Sequence, residues 1–222
     1  LNTHHPFTIP DKYKEQFNQN GDPILPCIQY TDYAIRRFFE KIKNTDWYKN
    51  TLFVFTADHA FQHTDKKTAH LTDYYRIPIV FHKPDGTMKG INPEIANQID
   101  IMPSVLHLLN YPSPYFALGK NLFDETCNRF SISYNSGIYQ YIDSAYCFQF
   151  NGQKATALYK WKTDSLLREN LLKSQTAREN YIQQEESLKK MIQSFNSCMI
   201  NNKMIYQDTR KEQLTGSNTF NP

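Results

Sequence analysis

No apolar run in the 222 residues is long enough to cross a bilayer, and no stretch has the pattern of a secretory leader. An excess of one charge sign is also missing. The 25 Lys and Arg against 22 Asp and Glu leave +3 with histidines neutral. No dense basic cluster stands out, which excludes nucleic acid as a partner held by phosphate neutralisation. Cys27, Cys127, Cys147 and Cys198 are widely spaced without a C-x-x-C, so zinc-finger and thioredoxin-type sites are excluded. Internal repeats and low-complexity segments are absent as well. The composition, 40% hydrophobic and 14% aromatic, is that of a globular chain, long enough for one large domain or a core with an appendage.

The most informative stretch is Thr51-Leu52-Phe53-Val54-Phe55-Thr56-Ala57-Asp58-His59. Its short, unbroken apolar run predicts a strand buried on both faces, as in a parallel sheet covered by helices. In open α/β sheets the ligand crevice lies beyond the carboxyl ends of the strands, where Asp58 and His59 fall. A hard oxygen donor beside an imidazole suits a divalent cation such as Zn2+ or Mn2+. From the dipeptide alone, a plain turn stays open beside the metal site. On a straight strand consecutive side chains face apart, so sharing one ion requires the backbone to turn there, and small Ala57 and Ala60 leave room for it.

Elsewhere the chain reads as follows. Residues 1–10 are a strand end running into a loop, with Pro6 holding His5 extended. A short surface helix is predicted over 11–19, then a loop through Gly21, Pro23 and Pro26. Residues 31–43 form an amphipathic helix with Ala34, Ile35, Phe38, Phe39 and Ile42 inward and Arg36, Arg37, Glu40 and Lys41 outward. A polar loop over 60–73 carries His63, Lys66, Lys67 and His70. Such a loop either grips a phosphate or sulfate or is merely solvated. Residues 77–82 are a second buried strand preceded by Arg76. A helix over 100–110 is expected, with Asp100 as its cap rather than a catalytic acid. From 130 to 161 four aromatic-rich runs with turn signals, Asn151-Gly152 the strongest, predict an antiparallel sheet of three or four strands. A long polar helix over 173–199 and a polar tail follow.

The segment from Trp47 to His59 resembles the "W-Y-x-N-T-L-F-V-x-T-A-D-H" stretch of the sulfatase and alkaline phosphatase superfamily, most of all its lipoteichoic acid synthase-like and phosphoglycerol transferase-like membrane branch. Two further segments agree: His4-His5-Pro6-Phe7 with "S-x-H-x-P-F", and Arg76 to Phe81 followed by Gln98 to Leu106 with "R-x-P-x-x-F … Q-x-D-I-x-P-T-x-L". The resemblance implies an α/β fold with a central, mainly parallel sheet between helices. A small antiparallel sheet and a long C-terminal helix would follow it. Residues 1–125 would be the C-terminal part of a sulfatase-like catalytic domain, 126–202 the sheet-plus-helix subdomain and 203–222 the tail. It further implies Asp58 and His59 as ligands of a divalent metal ion (Mn, Mg or Zn) and His4 as a contact to the substrate's phosphate. His63, Lys66, His70 and Arg76 become candidates for a substrate loop, with structural pairing the other role open to Arg76.

By the same resemblance the chain starts within a domain, with the nucleophile, another acidic ligand and a membrane region upstream. The expected activity is transfer of a phosphoglycerol-type group from a lipid-linked donor to a glycan or lipid acceptor, outside the cytoplasmic membrane. Two alternatives stand: a sulfatase or phosphodiesterase of the same fold, and a non-catalytic binding module. No formylglycine motif occurs here, but the segment that would carry it is not in this chain. An extracytoplasmic location would permit a Cys127–Cys147 bridge, although free buried thiols are the expected state. With only two ligands, the isolated chain is expected to bind metal weakly and not to turn over.

Overall fold

The computed structural model describes residues 2–17, 21–60, 75–173 and 177–206. The chain forms two compact units, one of Leu1–Val54 with Val80–Gly90, the other of Phe55–Ile79 with Ile91–Pro222.

In the first unit, helix α1 runs Ile24–Ile42, starting seven residues before the predicted helix. The prolines that suggested a loop are the start of the helix itself. Pro23 is the N-cap residue, the Asp22 carboxylate accepts the Ile24 N–H at 3.1 Å, and Pro26 lies in the first turn, where its missing N–H costs nothing. Ile24, Cys27 and Ile42 are buried and the predicted outward charges are exposed. Phe39 packs against Phe53 and His82, with ring centres 5.1 and 5.5 Å away. Phe53 also meets Tyr48 at 5.8 Å. Ile35 and Phe38 belong to the apolar stripe yet stay 42% and 46% exposed.

Residues 4–7 form a turn closed by Phe7 N–H to the His4 carbonyl, 2.8 Å, where the sequence suggested a strand end. Pro6 sits inside that turn and has no N–H to give a ladder. The predicted helix over 11–19 is a single 3-10 turn, Asp11–Tyr13, within its described part.

Strands β1 (Phe53–Thr56) and β2 (Ile79–His82) are neighbours in a two-stranded sheet. β2 starts after Pro78, two residues later than predicted, because proline cannot donate to the pairing. The expected burial on both faces is not met: no residue of either strand is fully buried, and Val80 is 46% exposed. Burial on both faces needs a wide sheet with a layer on either side. Among the described residues this sheet has two strands, so a central, mainly parallel sheet is not shown.

In the second unit, a 3-10 turn, Gln98–Asp100, leads into helix α2, Ile101–Leu108. Asp100 does not cap α2 through its side chain. It closes a capping box on the turn before it, accepting the Asn97 N–H at 2.8 Å. Its other oxygen accepts the Lys120 N–H at 2.8 Å. Ser104, fully buried, donates to the Asp100 carbonyl at 2.6 Å and accepts the Leu122 N–H at 2.8 Å. The strand of loop from Gly119 to Leu122 is thus laced to the start of α2.

Strands β3 (Ser131–Asn135), β4 (Ile138–Ile142), β5 (Cys147–Phe150) and β6 (Ala155–Tyr159) form the predicted antiparallel sheet, a meander in chain order. Its first turn is Ser136-Gly137, both at positive φ, 50° and 83°, as a tight hairpin demands. The Asn151-Gly152 turn joins β5 and β6, with the Asn151 side chain accepting the N–H groups of Gln153 and Lys154. On one face Tyr141, Phe148, Phe150 and Leu158 make a core closed by Leu188 of helix α3, Ala177–Ile200. The four cysteines are free, so the Cys127–Cys147 bridge is not formed. Among the described residues no helix is long and apolar enough to cross a membrane.

Candidate metal centre

β1 ends at Thr56, and the backbone bends at Asp58 and His59. Among the described residues, several hydrogen bonds shape this bend, three of them at 3.0 Å or less. The Asp58 carboxylate accepts the His59 N–H at 2.9 Å. His59 Nδ1 lies 3.0 Å from the Ala60 carbonyl oxygen. A carbonyl can only accept, so Nδ1 is the donor, which in a neutral ring leaves the lone pair on Nε2. The third bond comes from a distant element: Gln98 Nε2 donates to the Ala57 carbonyl at 2.5 Å, across 41 residues.

His59 Nε2 and Asp58 Oδ2 are 3.8 Å apart, with the side chains 40% and 89% exposed. A first-row divalent ion sits about 2 Å from nitrogen and oxygen donors, so one ion spans donors up to about 4 Å apart. The donor types, their separation and the histidine tautomer therefore fit such an ion. Among the described residues no group of three or more His, Cys, Asp or Glu gathers for a metal.

The other predicted residues fall as follows. Arg76 is exposed, just before β2. His4 is exposed in the first unit, with Nδ1 3.1 Å from the His5 carbonyl. His63, Lys66 and His70 lie outside the described residues. Asp100, expected as a cap rather than a catalytic acid, serves the capping box of the 3-10 turn. It is buried, and burial pushes its carboxyl up against the opposing pull of the Lys120 and Asn97 N–H groups. Gln98 carries no chemistry-bearing group and no periodic signal, which is why the sequence gives it no role. Its contact with Ala57 is visible only in three dimensions.

The sequence model of the sulfatase family matches residues 1–111, half of the chain, and the chain belongs to that family. It is 28% identical over 143 residues to lipoteichoic acid synthase 1 of Bacillus subtilis (strain 168), covering 56% of this chain and 22% of the relative. A protein in the alkaline phosphatase superfamily from Vibrio parahaemolyticus superposes with TM-score 0.72 at 20% identity, over 93% of this chain and 49% of that one. The phosphonate monoester hydrolase of Agrobacterium radiobacter follows at TM-score 0.60 and 19% identity, over 76% and 40%. These superpositions show an alkaline phosphatase-like fold. The chain spans about a fifth of the length of the curated relatives it matches.

Proposed function

We propose that this chain is part of a metal-dependent transferase that moves a phosphoglycerol-type group from a lipid-linked donor to a glycan or lipid acceptor outside the cytoplasm. The carrying observation is the Asp58–His59 pair: an oxygen and a nitrogen donor 3.8 Å apart at the end of β1, with the imidazole proton held on the far nitrogen. The likeness to a lipoteichoic acid synthase supports reading the transferred group as of phosphoglycerol type. Asp58 Oδ2 and His59 Nε2 would hold Mn2+, Mg2+ or Zn2+. The ion, when bound, supplies a Lewis acid that offsets charge on the transferred group. Asp58 also holds the His59 backbone, and the Ala60 carbonyl orients the ring. His4 is assigned the contact with the substrate's phosphate. His63, Lys66, His70 and Arg76 are assigned to a loop that reads the substrate's charge. No nucleophile is assigned within this chain, so residues 1–222 alone are expected to be inactive.

A hydrolase is the second reading, favoured by the superposition on a phosphonate monoester hydrolase. The test uses the full gene product with Mn2+. A fluorescent lipid bearing a phosphoglycerol headgroup is offered beside an aryl sulfate and an aryl phosphonate. The transferase reading expects diacylglycerol release that rises with added acceptor. Asp58→Asn and His59→Ala should lower it by more than about a hundredfold, beyond the 10- to 100-fold typical of an outer-shell partner, with thermal melts unchanged. Turnover of the sulfate or phosphonate alone would give the enzyme to the hydrolase reading. Full activity in both mutants would reduce the pair to a turn.

A further inference from the structure

Three groups must be oriented before Asp58 and His59 can present Oδ2 and Nε2 to one ion: the peptide plane at Ala57, the Asp58 carboxylate and the His59 ring. Among the described contacts the last two are held locally, by the His59 N–H and the Ala60 carbonyl. The first is set by the side-chain amide of Gln98, at 2.5 Å from the Ala57 oxygen. The Thr56 hydroxyl reaches the same oxygen only at 3.4 Å. Since a carbonyl accepts, the donor is the amide NH2 and not its oxygen.

Gln98 is itself on an anchored element. Its neighbour Asn97 accepts the Ile99 N–H and donates to the Ile132 carbonyl of β3 at 2.9 Å. Asp100, on the other side, binds the N–H groups of Asn97 and Lys120. Gly119 lies so close that any Cβ there would strike the Ile99 carbonyl. The 3-10 turn is therefore pinned from β3, from loop 119–120 and by its own capping box. A short turn pinned at several points presents one amide to the peptide that carries the ligand pair. Outer-shell partners of this kind hold ligands in register, and their loss commonly costs 10- to 100-fold in metal affinity.

We propose that Gln98 is a positioning residue for the Asp58–His59 metal pair: it fixes the Ala57 peptide so that the two donor atoms converge. The proposal rests on reading that pair as metal ligands.

The test is Mn2+ binding by the full gene product, followed through the loss of the free ion's electron paramagnetic resonance signal, a readout independent of turnover. Gln98→Met keeps length and removes the donor; Gln98→Asn keeps the donor and shortens its reach by one methylene. Both should weaken Mn2+ binding about tenfold with melting temperatures near wild type. In an Asp58→Asn background, Gln98→Met should add no further loss, because there is no longer a pair to align. Wild-type affinity in Gln98→Met, beside lost affinity in Asp58→Asn, overturns the positioning role and leaves the metal reading intact. A loss in Gln98→Met matched by a collapsed melt, or a full second loss in the double variant, also overturns it, in favour of a structural role. Wild-type affinity in Asp58→Asn and His59→Ala overturns the metal reading, and this proposal with it.

Discussion

A methyl group at position 119 would run into the Ile99 carbonyl, which is backbone in a capped turn and cannot swing aside. Gly119→Ala should therefore destabilise the second unit by at least ~1–3 kcal/mol, the usual cost of forcing atoms into filled space. A urea melt checks this, and a wild-type midpoint would mean that the loop yields. Cys147 makes a second prediction at the same scale. It is fully buried, and burial, aided by the Asp143 carboxylate, pushes its thiol from the ordinary 9.0 up to about 12. A folded pKa raised above the unfolded one gives stability that is fully present below the unfolded pKa and lost as pH rises through the folded value. Between about pH 9 and 12 the folded chain keeps a proton that the unfolded chain releases. Stability should then fall with a slope of up to about 1.4 kcal/mol per pH unit from this group. Urea midpoints at pH 8, 9 and 10 for wild type and Cys147→Ala check it: the mutant should lack that component of the slope. Iodoacetamide at pH 8.5 should leave Cys147 unmodified until the protein is unfolded.

Among the elements, β3 to β6 were the most legible from sequence. Period-two alternation puts Tyr141 opposite Phe148 on the core face and Gln140 opposite Gln149 on the other, and Asn151-Gly152 announces its own hairpin. Helix α1 was half legible: its outward charges were right, but Ala34, Ile35 and Phe38 of its expected inward stripe are exposed, and Pro23 and Pro26 read as breakers when they are the residues that start it. β1 and β2 were recognisable as strands, yet their burial was overestimated, because an apolar run states what a strand wants and not how many layers are there to cover it. Helix α3 owes its place to packing rather than composition, being polar along most of its length. Leu188, fully buried against the sheet core, is its main anchor. Leu188→Ala should cost ~2–5 kcal/mol. The expected readout is an earlier urea transition with reduced amide protection along α3 and β5. An unchanged transition would mean that Tyr181 and Ile192 hold the helix without it.

At the scale of the whole chain, the Asp58–His59 pair stood out because strand, acid and imidazole are contiguous, and the family was readable because three motifs recur in order. The contact that reaches the Ala57 peptide was not readable. Gln98 and Ala57 are 41 positions apart, and an amide meeting a backbone carbonyl leaves no trace in composition or period. The same holds for Asp100: it was expected to cap α2, but its carboxylate closes the capping box of the preceding 3-10 turn and takes the Lys120 N–H as a second partner.

The meander order β3-β4-β5-β6 also bears on how the molecule is made. Each strand pairs with the one just before it, so no long loop has to close before the ladder begins to form, and such local pairing is fast. On a growing chain the sheet can assemble strand by strand as it emerges, while the helix that covers it arrives only with residues 177–200. Until then Phe148, Phe150 and Leu158 face water on a preformed apolar surface. The interval between the last strand and the last helix is therefore when this protein is most exposed to aggregation, and nascent chains stalled there are the ones a chaperone would find.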